Sequence, residues 1–61
     1  MSYREFVAKI KSKFPREYIE FSHDDGKHRA ILRDGIKITG NNIAPSVMVT
    51  WGSGHRSTIK I

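Results

Sequence analysis

Sixty-one residues with no cysteine and a net charge of +5 describe one small basic domain, residues 1–61, that neither disulfides nor a thiolate zinc site can staple. A chain this short buries only about 60% of its unfolded surface, so the expected supports are a very regular fold, a bound partner or self-association. No apolar run approaches the roughly 18 residues of a membrane span, and the charged start MSYRE lacks a signal-peptide core, so the expectation is a cytoplasmic protein without membrane contact.

Ser2-Tyr3-Arg4-Glu5 has the form of a capping box, in which serine and glutamate satisfy free amides at a helix start. Tyr3, Phe6, Val7, Ile10 and Phe14 follow at the one-face spacing of an amphipathic helix, with Lys9, Lys11 and Lys13 toward its C-terminal end, where cations suit the dipole. Pro15 cannot continue the ladder, which predicts a helix over residues 2–13.

Residues 17–22, EYIEFS, alternate with Ile19 and Phe21 on one face and Tyr18 and Glu20 on the other. Asp25-Gly26 is a two-residue hairpin signal, because a type I′ turn needs positive φ at both central positions. That register pairs Phe21 with Ala30 and Ile19 with Leu32, leaving Arg29, Ile31 and Arg33 outward. At the next Asp-Gly, a two-residue turn would set Leu32 against Lys37. A three-residue loop over Arg33, Asp34 and Gly35 pairs Leu32 with Ile36 and Ala30 with Ile38, keeping apolar residues on one face. Lys37 and Thr39 then point outward. The stretch DGIKITG, with a helix upstream, resembles the strand turn of the bacterial Sm-like RNA chaperones, which also have a helix and five strands. The likeness covers seven of sixty-one residues and includes no RNA-binding signature, so no membership is drawn from it.

Residues 40–46 read as a loop. Val47, Val49 and Trp51 are expected inward and Met48 and Thr50 outward. A three-residue loop at 52–54 leads to a last strand with Ile59 and Ile61 inward and Arg56, Thr58 and Lys60 outward. The predicted fold is α+β, an N-terminal helix packed on a curled antiparallel meander of four to five short strands. The alternative is a small SH3- or Sm-like barrel with an N-terminal helix.

Charge placement carries the functional expectation. Arg4, Lys9, Lys11, Lys13 and Arg16 balance Glu5, Glu17, Glu20, Asp24 and Asp25 in residues 1–25. In residues 26–61, Lys27, Arg29, Arg33, Lys37, Arg56 and Lys60 meet Asp34 alone. The registers gather Arg29, Arg33, Lys37, Arg56 and Lys60 on the outward sheet face with Tyr18, Ile31 and Met48. Cations displace counterions from phosphates and a ring stacks on an unpaired base, so the expected function is nucleic-acid binding through this face. Keeping lysine and arginine outward for solubility is the plainer use of such a face.

Other stretches offer less. The Trp51–Arg56 segment, WGSGHR, joins strands and lacks the P-loop spacing and its lysine-serine ending, so it reads as a turn with Trp51 in the core. His23 and His28 face each other at what reads as an exposed hairpin end, with no third ligand fixed by the sequence, so no metal and no cofactor is assigned. Nucleophilic catalysis needs an activated nucleophile beside a base, and nothing here supplies one, so the chain is not expected to be an enzyme. The last strand has no proline or bulge signal. Its edge, with Ile31 and Met48 exposed, suits a homodimer or a protein-binding adaptor or inhibitor docking by sheet face or C-terminal edge, the alternative function.

Overall fold

A computed structural model describes residues 1–60, so the inward placement expected of Ile61 lies outside the described residues. Helix α1 spans Tyr3–Lys13 and is followed by β1 (Ile19–Asp24), β2 (Lys27–Leu32), β3 (Lys37–Asn41), β4 (Ser46–Thr50) and β5 (Arg56–Lys60). The strands form one antiparallel sheet in the order β1-β2-β3-β4-β5. Each joins its successor, as short connections between alternating segments dictate.

The helix begins where the capping residues place it. Ser2 Oγ accepts the Glu5 amide at 3.2 Å, and the Phe6 amide donates to the Ser2 carbonyl at 2.9 Å. At the other end the Phe14 amide still bonds the Ile10 carbonyl at 2.9 Å, and the Glu17 amide turns back to Phe14 at 3.3 Å. That extra turn after Pro15 delays β1 to Ile19, two residues later than the alternation in EYIEFS suggests.

Both hairpin registers follow the turn chemistry. At the first, Asp25 has φ 50° and Gly26 φ 74°, and the ladder pairs Phe21 with Ala30 and His23 with His28. Replacing Gly26 with alanine is expected to lower stability by about 1 kcal/mol or more, because the left-handed backbone strains any Cβ. That Cβ would also lie 3.1 Å from Asn42 Nδ2. A urea melt of the two proteins checks it, and an unchanged midpoint would refute it. At the second hairpin the Leu32 amide donates to Ile36 at 2.9 Å and Gly35 has φ 82°, the three-residue loop that keeps Ala30 opposite Ile38. The β4–β5 hairpin repeats the device: Gly54 has φ 92°, its amide donates to Trp51 at 2.8 Å, and the Trp51 amide donates to His55 at 2.8 Å.

One face of the sheet meets the helix. Phe6, Ile10, Ala30, Leu32, Ile38, Val47 and Val49 are buried there, with Val7, Phe14, Ile19, Phe21, Ile36 and Ile59 packed around them. Gly40 matters to this packing. A Cβ at that position would lie 3.1 Å from Phe6 Cδ1, so the glycine opens the notch into which the ring fits.

Three expectations are corrected. The barrel alternative fails, because β1 and β5 have one ladder partner each and the sheet stays open among the described residues. Trp51 is not core: it remains 39% exposed, its indole donating to Ser57 Oγ at 3.4 Å. The helix lies chiefly over β2, and β4 is two strands away, so Trp51, which follows β4, has inward parity but lies beyond the cover.

The third correction concerns His28, which is 1% exposed rather than at a solvated hairpin end. Its ring packs against Phe6 at 5.4 Å, Tyr3 at 5.6 Å and His23 at 5.4 Å between centroids. Its Nε2 is 2.9 Å from the Met1 carbonyl oxygen. A carbonyl only accepts, so Nε2 carries the hydrogen, and buried Nδ1 has no partner among the described residues. The Met1 amino group in turn donates to the carbonyls of Asn42 at 3.1 Å and Ala44 at 3.2 Å. That loop is shaped by Asn41 Oδ1, which accepts the Ile43 and Ala44 amides at 2.9 and 2.7 Å.

Candidate nucleic-acid interface

The ladders place the outward side chains in rows that cross the strands. One row runs Glu20, Ile31, Lys37, Thr50, Arg56; the next runs Ser22, Arg29, Thr39, Met48, Thr58. A third holds Asp24, Lys27 and Asn41 on β1 to β3 and Ser46 and Lys60 on β4 and β5. Side chains directly opposite in antiparallel ladders are about 4.5–5.5 Å apart at Cβ, so each of the first two rows is a contiguous band.

This outer face is concave. A depression of about 610 Å³ crosses all five strands, its lining including Ser22, Lys27, Arg29, Thr39, Met48 and Thr58. Its polar floor comes from hydroxyls and Asn41, all at outward positions. Lys37 and Arg56 stand in the neighbouring row and Lys60 beside Ser46. Among the described residues none of Lys27, Arg29, Lys37, Arg56 and Lys60 is tied to a carboxylate, which leaves their charge available to a ligand. The acidic outward residues of the strands, Glu20 and Asp24, both belong to β1, and Asp24 lines the depression opposite Lys27.

The sequence-derived residues therefore separate. Arg29 lines the depression, and Lys37, Arg56 and Lys60 share its face. Arg33 and Tyr18 do not join them in the depression. They bound a second concavity of about 270 Å³ with Glu20 and Ile31, at the end where the chain leaves β2 and enters β1, and Tyr18 is 65% exposed there. Lys27 was missing from the expected site although it lies in the depression. Its parity with Arg29 and Arg33 was the available signal.

Among the described residues no Phe, Tyr or Trp lines the depression, and the His28 that borders it is buried; Met48, 42% exposed, is its large exposed apolar side chain. Such a surface can hold anionic oxygens by charge and hydroxyl donors, while stacking is left to Tyr18 at the second concavity. His23 and His28 stack on each other at inward positions, His28 also bordering the depression with its Nε2 already engaged by Met1.

Comparison of the chain with protein-family models, with curated proteins and with solved structures finds no match. The functional reading accordingly rests on this geometry.

Proposed function

We propose that the chain is a small nucleic-acid-binding module that grips the phosphate backbone across the concave outer face of its sheet. The observation that carries the reading is the convergence of Lys27, Arg29, Lys37, Arg56 and Lys60 on or beside one depression floored by Thr39, Thr58 and Asn41. Cations that neutralise phosphates release condensed counterions, and hydroxyl and amide side chains add hydrogen bonds to phosphate oxygens without reading sequence. Arg33 extends the positive surface past the hairpin tip, and Tyr18 beside it offers a ring to one unpaired base.

The test is fluorescence anisotropy of labelled single-stranded and duplex oligonucleotides over a range of potassium chloride. Affinity should fall steeply with salt and be lost in the Arg29→Ala, Arg33→Ala double variant. No shift with any oligonucleotide at low salt would end the proposal. A second reading, a protein-docking adaptor, draws on Ile31 and Met48, which are exposed on the same face. In that case a captured protein would be released by Met48→Asp and indifferent to the two arginines.

A further inference from the structure

We infer that the free edges of the sheet recognise each other, so that β1 of one copy pairs in parallel with β5 of a second copy, head to tail. The sheet ends in β1 and β5, each with one ladder partner, so one edge of each strand presents amides and carbonyls unpaired within the sheet. Neither strand contains proline, and β1 and β5 run in the same direction because an even number of reversals separates them. A second copy displaced sideways lays its β5 along β1, with both outer faces on one side.

Charge selects this pairing over the others. The exposed outward residues of β1 are Glu20, Ser22 and Asp24; those of β5 are Arg56, Thr58 and Lys60. Four residues separate the charges in both strands, a span of about 13 Å at strand rise. In one parallel register Glu20 meets Arg56, Ser22 meets Thr58 and Asp24 meets Lys60. Opposite charges and paired hydroxyls are favourable cross-strand neighbours, and like charges are not. Pairing β5 with another β5 sets basic residues beside basic ones, and pairing β1 with another β1 sets acids beside acids. On the inner side, half-buried Phe21 and Ile59 approach the same seam. The interface is heterologous, so it closes into a ring or continues as a filament, and it sets the depressions of successive copies side by side, with Arg56 and Lys60 then paired to the neighbouring copy's acids. It stands without the nucleic-acid reading, since neither edge needs a ligand.

Sedimentation equilibrium at low salt across a wide concentration range tests it. The wild-type chain should form species larger than a monomer that dissociate as salt rises. Glu20→Lys with Asp24→Lys, and separately Arg56→Glu with Lys60→Glu, should each weaken association at least about tenfold, and mixing the two variants should restore it. All four side chains are exposed, and circular dichroism verifies that the variants fold. If either fails to, the milder Glu20→Gln with Asp24→Asn takes its place in the comparison. A wild-type monomer at every concentration overturns the inference. So does a dimer that survives reversal of one edge, as β1–β1 or β5–β5 pairing would, or a mixture that stays monomeric.

Discussion

Replacing Phe6 with alanine is expected to lower the free energy of unfolding by about 3–5 kcal/mol, the usual cost of emptying a buried aromatic site. At roughly 0.05–0.15 kcal/mol per residue, a chain of this length has about 3–9 kcal/mol in total, so the variant should be largely unfolded at ambient temperature. Phe6 is completely buried, stands edge-on to Phe21 with centroids 6.3 Å apart, and packs on the His28 ring at 5.4 Å. At Gly40, β3 meets the ring with no side chain, so that position supplies nothing to refill the space. Urea denaturation followed by circular dichroism measures the loss, and a change below about 1 kcal/mol would contradict the assignment of Phe6 as the centre of the core. The same notch gives a second reading of the contact. Gly40→Ala should cost about 1–3 kcal/mol by overpacking, and that cost should shrink in a Phe6→Leu background, because the two positions share one space.

The hairpins were legible because two rules agree at each of them. Asp25-Gly26 supplies positive φ for a two-residue turn, and the apolar parity of Phe21 and Ala30 accepts no other register. At Asp34-Gly35 the turn residues alone allow two loop lengths, and the parity of Leu32 and Ile36 decides for three. Alternation fixes the face of a side chain without fixing what covers it. That is why Trp51 was expected in the core: its parity is inward, but α1 lies over β2 and does not extend to the end of β4. His28 was missed for a related reason. Its parity with Ala30 and Leu32 places it inward, yet a histidine beside a turn reads as polar and local. What buries it is the Met1 carbonyl and the ring of Phe6, distant in sequence. The basic residues could be read one by one, whereas the curvature that gathers Lys27 and Arg29 with Thr39 and Met48 is a property of the twisted sheet and of no single strand.

Salt titration of graded variants is expected to separate the depression from the second concavity. For single strands the logarithm of the binding constant falls with the logarithm of salt by about 0.7 per phosphate neutralised. If Lys27, Arg29, Lys37, Arg56 and Lys60 each engage one phosphate, the slope is about −3.5, so a tenfold rise in salt weakens binding roughly 3,000-fold. Removing Lys27 and Arg29 together should flatten the slope by about 1.4 units and weaken binding at low salt, because both charges line the depression. Tyr18→Ala should behave differently. A stacked ring contributes about 1–3 kcal/mol per base but releases no counterion, so affinity should drop at every salt concentration with the slope unchanged. Since Tyr18 and Arg33 border one concavity and Arg29 another, Arg33→Ala paired with Tyr18→Ala reports whether a bound strand passes from the sheet face over the hairpin tip. A slope lowered by Arg29→Ala but untouched by Arg33→Ala confines the strand to the depression. A slope that neither substitution lowers would mean that the cations of the sheet face do not contact phosphate, and the proposed function would fall with it.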